Sequence, residues 1–233
     1  AALTHEVATG NTYTPSVSAV NTYTYYVREI SGNTGNCPGP AEEVVLTINP
    51  IPNTPTVTRT GSDFCYDGIQ SVTLTADPNS PPVVSSYQWY RNGTAISGAT
   101  SSTLVLSQIA HSGTYTVRAF GVAPTYCPGP LSDPISVTIG QPATVNAGPD
   151  QNICSNTPAS LAGTIGGSAS SATWTTSGTG SFGNATGLST TYTPSAADIS
   201  SGSVTLTLTT NNPTGPCPAV SDFLILTIIR APQ

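Results

Sequence analysis

Five cysteines are the residues whose type and spacing first suggest chemistry: Cys37, Cys65, Cys127, Cys154 and Cys217. Cysteine pairs form disulfides in oxidising compartments, whereas zinc sites use Cys-x-x-Cys pairs together with further cysteines or histidines. The chain contains no Cys-x-x-Cys, and neither of its two histidines lies near a cysteine in the sequence. The spacing therefore favours disulfides, and no metal or other cofactor is expected.

The remaining titratable residues form no catalytic pattern. His5 and His111 lie in expected loops, and no sequence pattern links either of them to a carboxylate and a nucleophile. Asp63 and Asp67 flank Cys65 and could contribute to a Ca²⁺ site, but no Asp-x-Asp-x-Asp run supports one. We therefore expect a solvated turn around Cys65, and we predict that the chain is not an enzyme.

An internal repeat of about 90 residues organises the chain. Cys-Pro pairs begin at Cys37, Cys127 and Cys217, 90 residues apart each time, and each precedes a segment that ends in Leu-Thr-Ile or Val-Thr-Ile. This period matches the size of one immunoglobulin-like sandwich. The sequence predicts three units: residues 1–49 as the later part of a repeat whose first half is missing, residues 50–140 as a complete repeat, and residues 141–233 as a diverged repeat with the start of a further linker.

The repeat also predicts how the cysteines pair. Cys65 precedes the second strand of its repeat and Cys127 follows the sixth strand, 62 residues later. Cys154 and Cys217 occupy the same places in the next repeat, 63 residues apart. We predict the bridges Cys65–Cys127 and Cys154–Cys217, each contributing about 4 kcal/mol in the chain-entropy model. Cys37 is then unpaired within the chain, with its partner in the missing half of the first repeat.

The strand pattern is that of an immunoglobulin-like sandwich. Alternating β-branched residues predict strands at 56–60, 71–76, 87–90, 103–106, 113–120 and 135–139, a hairpin turn at 92–93, and strands at 12–15, 22–30 and 44–48 in the first unit. Trp89 falls in the third strand, where such folds bury an indole, and Tyr115 takes the tyrosine-corner position. Trp174 and Tyr23 are the corresponding core aromatic residues expected in the last and first units. The fold class is therefore all-β: tandem immunoglobulin-like β-sandwiches in an elongated rod.

Composition excludes several functions. Charged residues make up 7% of the chain, the net charge is −6, and all five basic residues are arginines, so nothing provides the basic surface that nucleic acid requires. No apolar run approaches the ~20 residues of a membrane-spanning helix. Disulfides imply an oxidising compartment. We expect an extracellular, cell-surface protein, with chain missing at both ends.

Three segments carry a family resemblance: NAGPDQNIC (146–154), TWTTSGTGSFGNATG (173–187) with the strands that follow it to residue 210, and GPCPAVSD (215–222). They resemble the immunoglobulin-like and PKD-like repeats of large surface proteins that Bacteroidota export by type IX secretion. Residues 1–27 resemble the companion repeat type of the same proteins. The resemblance implies a very large protein with an adhesive or filament-forming role, as in gliding-motility adhesins.

The leading functional hypothesis is a non-enzymatic structural or adhesive segment of a bacterial cell-surface stalk, fibre or adhesin. Its expected partners are further repeats of the same polypeptide or neighbouring subunits of a fibre. One alternative is a module that binds a surface glycan or protein, with Tyr26 and Tyr90 as exposed contact residues. Another is an accessory region of a secreted hydrolase. Repetition without catalytic residues favours the first hypothesis.

Overall fold

The computed structural model describes residues 8–30, 38–79, 83–122, 127–211 and 215–230. Strands dominate these residues, because Thr, Val and Ser fit the pleated backbone while strong helix formers are scarce. The first unit contributes one antiparallel pair, β1 (Asn21–Val27) and β2 (Glu42–Ile48). The expected strand at 12–15 is wrong, because those residues are irregular. Cys37 and His5 lie outside the described residues.

The first sandwich is formed by the middle repeat. Its strands are β3 (Thr56–Thr60), β4 (Phe64–Cys65), β5 (Val72–Asp77), β6 (Val84–Arg91), β7 (Thr94–Ala95), β8 (Thr103–Leu106), β9 (Gly113–Gly121), β10 (Pro128–Leu131), β11 (Ile135–Val137) and β12 (Ile139–Gly140). One sheet has the order β3-β5-β8 and the other the order β10-β9-β6-β7, with β11 also paired to β9. This is the A-B-E sheet facing the C-F-G sheet of an immunoglobulin-like domain.

The strands predicted for this sandwich agree closely with the observed strands. The predicted strands at 56–60 and 103–106 are confirmed to the residue, and the Asn-Gly turn joins β6 to β7 with positive φ at both Asn92 (50°) and Gly93 (80°). β4 and β10 were not predicted. Pro128 and Pro130 argue against a strand, and β10 tolerates them because it lies at the edge of its sheet.

The second sandwich is formed by the last repeat. Its strands are β13 (Ala143–Asn146), β14 (Gln151–Cys154), β15 (Ala159–Ala162), β16 (Thr164–Gly167), β17 (Ala172–Thr176), β18 (Ser181–Phe182), β19 (Ser189–Thr193), β20 (Ser203–Thr210) and β21 (Ser221–Ile229), with the one-and-a-half-turn helix α1 (Ala196–Ser201) before β20. The sheet β14-β21-β20-β17 faces the sheet β15-β19-β18, and β13 pairs with β16. The described chain is thus all-β with immunoglobulin-like sandwiches, as predicted.

Each sandwich has its own hydrophobic core. Trp89 and Tyr115 are buried in the first core, together with Val72, Leu74 and Val117. Trp174 is buried in the second core among the leucines of β20 and β21. No described residue of the first unit belongs to either core. The β-rich repeats therefore fold around two separate apolar centres.

The two sandwiches meet end to end. We call the end at which the chain enters a sandwich its proximal pole and the opposite end its distal pole. In the first sandwich β3 runs from the proximal to the distal pole, and β9 returns so that Gly121 lies beside Pro50 at the proximal pole. In the second sandwich β14 and β21 run in parallel toward the distal pole, while β20 runs back toward the proximal pole.

Candidate functional site at the bridged joint

A disulfide joins the two sandwiches. It links Cys65 to Cys217 with a Cα–Cα distance of 4.6 Å, across 152 residues of sequence. Cys127 and Cys154 are free thiols, the first half-buried and the second exposed. The predicted bridges Cys65–Cys127 and Cys154–Cys217 are therefore wrong, and the structure shows a bond between repeats instead of within them.

Strand direction explains this difference. Cys65 lies at the distal pole of the first sandwich, because the turn between its first two strands is there. Cys127 lies at the proximal pole, where its carbonyl accepts a hydrogen bond from Gly121 N–H at 2.9 Å. β9, which separates the two poles, has nine residues and so spans about 30 Å. A disulfide needs Cα atoms within about 7 Å, so Cys65 and Cys127 cannot pair.

A short parallel pairing positions Cys65. β4 pairs with β12 so that Phe64 lies opposite Ile139 and Cys65 opposite Gly140. Phe64 N–H donates to the Thr138 carbonyl at 3.3 Å, and Tyr66 N–H donates to the Gly140 carbonyl at 2.9 Å. Phe64 is buried in the first core, so its packing anchors the backbone next to Cys65.

An ion pair lies at the same pole and links the first strand to the last. The guanidinium of Arg59 contacts Asp63 at 2.5 Å and donates to the Ser136 carbonyl at 2.9 Å, and Thr138 N–H donates to Asp63 at 2.9 Å. Desolvation alone would raise the pKa of Asp63, but the hydrogen bond from Thr138 and the charge of Arg59 lower the pKa below its ordinary value. Asp63 therefore holds the first and last strands of the sandwich together beside the joint.

Asp67 forms a turn. Its carboxylate accepts hydrogen bonds from Ile69 N–H and Gln70 N–H at 2.8 Å, and from the Gln70 amide at 2.8 Å. The hydrogen bonds from the backbone and side chain of Gln70, and then that from Ile69, lower the pKa of Asp67 to about 2. Among the described residues, no three His, Cys, Asp or Glu side chains cluster as metal ligands.

Close approach of the backbone positions Cys217. The residue is buried, follows Pro216 and precedes β21 at the proximal pole of the second sandwich. Gly140, in the linker between the sandwiches, packs directly beneath it: a Cβ at this position would lie 2.8 Å from Cys217 Sγ and 3.1 Å from Pro216. Only glycine leaves room for the bridge and the linker to lie side by side.

Three of the four predicted core aromatic residues are buried, and Tyr23 is not. Trp89 and Trp174 are buried, and their indole N–H groups donate to the carbonyls of Ser101 (2.9 Å) and Gly187 (3.2 Å). Tyr115 is buried and its hydroxyl donates to the His111 carbonyl, which is the tyrosine-corner contact. Tyr23 is not a core residue: it is half-buried on β1, because the described part of the first unit supplies a single two-stranded sheet.

His111 also differs from expectation. It is half-buried at the end of a 3-10 helix (Ile109–His111), and its Nδ1 accepts hydrogen bonds from Ser107 N–H (3.1 Å) and Gln108 N–H (3.3 Å). This ring stabilises the turn that leads into β9. The residue therefore has a structural role beside the tyrosine corner, where a solvated loop was expected.

Sequence reasoning missed a buried carboxylate in the second sandwich. Asp198 is 2% exposed and accepts hydrogen bonds from the Tyr192 hydroxyl (2.8 Å) and from the N–H groups of Thr179, Gly180 and Ser195, each at 2.9 Å. Desolvation would raise the pKa of Asp198, but the bonds from Ser195, Thr179 and Tyr192 lower it below its ordinary value. The spacing Ser195-x-x-Asp198 is a capping-box pattern and was the available signal.

Comparisons with known proteins find only distant similarity. The sequence matches no protein-family model and no curated protein sequence. Similar solved structures include an amphioxus IgVJ-C2 molecule (TM-score 0.42, 14% identity, 70% of this chain and 98% of that chain) and murine CEACAM1b (TM-score 0.38, 10% identity, 76% and 99%).

A third similar structure comes from a virus. The three N-terminal domains of the highly immunogenic outer capsid protein of bacteriophage RB49 match with a TM-score of 0.34 and 18% identity, over 75% of this chain. The match spans 59% of the bacteriophage chain. The assignment of the fold rests on the strand order and the two cores described above. None of the described helices is long and apolar enough to cross a membrane.

Proposed function

We propose that this chain is a non-enzymatic structural segment of an extracellular fibre or stalk, and that the bridged joint transmits tension from one sandwich to the next. The observation that carries the proposal is the Cys65–Cys217 disulfide between the distal pole of one sandwich and the proximal pole of the next. A disulfide also fits an oxidising, extracellular location. The family resemblance narrows the proposal to the surface of a bacterium, in a large adhesin-like protein exported by type IX secretion.

The bridge creates a short covalent route across both sandwiches. Force applied along the chain passes through residues 56–65, crosses the disulfide, and leaves through residues 217–229. Fully extended, these two segments span about 80 Å, close to the length of two sandwiches of about 40 Å each. The residues from 66 to 216, which include most of both cores, lie in a closed loop that the force does not load.

Without the bridge, force enters the second sandwich through the linker and loads the hydrogen bonds between β14 and β21 in shear. β14 and β21 are parallel neighbours with four residue pairs in register, from Gln151 opposite Leu226 to Cys154 opposite Ile229. The chain enters the sandwich through β13, which precedes β14, and leaves it after β21. Once the disulfide is reduced, pulling the two ends apart therefore loads all bonds of this ladder together and does not open them one at a time. β4 and β12 form the shorter equivalent in the first sandwich.

Single-molecule pulling between handles at residues 50 and 230 tests the proposal. With the bridge intact, we expect no unfolding step that lengthens the chain by more than about 30 Å, because the taut segments are nearly extended already. After reduction, or in Cys65→Ser, we expect two steps of about 270 Å each, since each unfolding sandwich releases about 90 residues.

Cys154→Ser is the matched control. It removes a free thiol and leaves the bridge, so its trace should match that of the unsubstituted chain. Two long steps from the oxidised, unsubstituted chain would contradict the proposal, because they would show that force reaches the cores in spite of the disulfide.

A further inference from the structure

The free thiol of Cys154 occupies the same structural position as the bridged Cys65. Each cysteine ends the short strand that runs parallel to the last strand of its sandwich. Cys65 lies opposite Gly140, the residue after Ile139, and Cys154 lies opposite Ile229, the residue after Ile228. Ile139 and Ile228 are both buried. The backbone thus presents Cys154 at the distal pole of the second sandwich as it presents Cys65 at the distal pole of the first.

Cys127 occupies the same position as Cys217. Each is the cysteine of a Cys-Pro pair that follows the long antiparallel strand β9 or β20, and the two are 90 residues apart in the sequence. Cys217 lies against Gly140 of the linker that enters its sandwich, and Cys127 lies with Gly121 beside Pro50 of the linker that enters the first sandwich. Both cysteines therefore lie at a proximal pole, near the linker that enters their sandwich.

We infer that Cys154 and Cys127 are the open halves of two further bridges of the Cys65–Cys217 type. The partner in both cases is another immunoglobulin-like repeat of the same polypeptide. Cys154 bonds to the Cys-Pro cysteine at the proximal pole of the repeat that follows. Cys127 bonds to the cysteine at the distal pole of the repeat that precedes the first sandwich. The inference rests on the proposed function, and it extends the bridged joint along the fibre.

Cys127 and Cys154 cannot form a disulfide with each other. Cys127 lies at the proximal pole of the first sandwich and Cys154 at the distal pole of the second, so both sandwiches lie between them. The four cysteines of the two sandwiches thus comprise one closed joint and one half-joint at each outer pole.

Each new bridge forms by thiol–disulfide exchange. The two cysteine thiols lose two protons and two electrons and form one S–S bond, while one disulfide of a thiol-oxidising protein in the same compartment is reduced to two thiols. The result is a ladder in which every sandwich is crossed by two covalent routes. One follows its first strands to the distal cysteine, and the other follows its last strand from the proximal cysteine.

The test is disulfide mapping of the native polypeptide, alkylated at the moment of lysis. A protease that cleaves before aspartate places the four cysteines on four different peptides: 63–66, 77–132, 150–197 and 198–221. We expect the 77–132 and 150–197 peptides each to be linked to a cysteine peptide from outside this sequence, with the latter partner containing Cys-Pro. Alkylated, unlinked Cys127 and Cys154, or a link between them, would overturn the inference.

The same digest separates this inference from the proposed function. If peptides 63–66 and 198–221 are linked while Cys127 and Cys154 are alkylated, only the ladder fails and the single bridged joint stands. If 63–66 and 198–221 are not linked, the proposed function fails as well. As a further check, Cys154→Ser in the native polypeptide should release one new free thiol in the following repeat, and its absence would contradict the assignment of the partner.

Discussion

Single residues at the poles and in the second core determine how these sandwiches hold together. Asp198 is the clearest case, because four hydrogen-bond donors converge on one buried carboxylate next to Tyr192. A carboxylate has two acceptor oxygens and no donor, which suits this arrangement, whereas a carboxamide would turn an NH₂ group toward other N–H groups. Val204 is the buried residue of β20 at the position that Tyr115 takes in β9, so the second sandwich has no tyrosine corner there.

We predict that Asp198→Asn lowers the free energy of unfolding of the second sandwich by about 2–3 kcal/mol at pH 7. The folded-state pKa of Asp198 is lowered, so its contribution is complete above the unfolded pKa of about 3.9 and is lost as the pH falls through the folded pKa. The difference between the two proteins should therefore shrink as the pH falls from 4 toward 2. Urea unfolding at pH 7 and at pH 2–3 measures this difference in the free energy of unfolding.

The matched control is Asp133→Asn, at an exposed position of the first sandwich. It should leave the free energy of unfolding within about 0.5 kcal/mol of the unsubstituted chain. A difference between Asp198→Asn and the unsubstituted chain that grew on acidification would mean that the carboxylate is not stabilised by the network.

At the scale of the elements, the linker between the sandwiches is as much a part of the joint as the disulfide. Gly140 ends β12, pairs with Cys65 and lies beneath Cys217. The contact leaves no space for a side chain. The geometry of the joint thus depends on one residue that has no functional group.

We predict that Gly140→Ala opens the joint. The added Cβ would lie 2.8 Å from Cys217 Sγ, so the linker and the Cys-Pro segment must separate, at a cost of about 1–3 kcal/mol. Thiol titration of the oxidised protein should show a larger fraction of unpaired Cys65 and Cys217. Gly121→Ala is the control at the other pole, because the nearest atoms there are 3.7 Å away. Equal thiol content in both variants would contradict the assigned role of Gly140.

The elements also show where the sequence was informative. Alternation of apolar residues predicted β3 and β8 to the residue, and the Asn-Gly pair predicted the turn between β6 and β7. Trp89, Trp174 and Tyr115 were placed in the cores correctly. β4 was missed because a pair of residues is too short to show a period, yet this strand presents Cys65 to its partner.

At the scale of the whole molecule, the cysteine pairing was predictable only in part. The 90-residue repeat predicted that Cys65 is equivalent to Cys154 and Cys127 to Cys217, and the register of the strands confirms the first equivalence. It did not show that the distal cysteine of one repeat meets the proximal cysteine of the next, while the two cysteines of one repeat lie at opposite poles. That fact depends on strand direction and on the stacking of two sandwiches, which no local pattern encodes. Cys37 shares the Cys-Pro pattern but lies outside the described residues.

The Cys65–Cys217 disulfide closes a loop that runs through both sandwiches. Reducing the bridge removes a constraint on both sandwiches at once, because the loop that it closes contains most of the strands of each sandwich. In the chain-entropy model a loop of 152 residues corresponds to about 5 kcal/mol when both sandwiches unfold. The joint therefore couples the stability of two cores that share no residue.

Non-reducing peptide mapping of the 233-residue chain tests the central claim most directly. Cleavage before aspartate, without reductant, should give one disulfide-linked species that joins peptide 63–66 to peptide 198–221, with Cys127 and Cys154 recovered as alkylated thiols. Peptide 63–66 linked to peptide 77–132, with 150–197 linked to 198–221, would contradict it, because each sandwich would then carry its own bridge and nothing covalent beyond the linker would join the two.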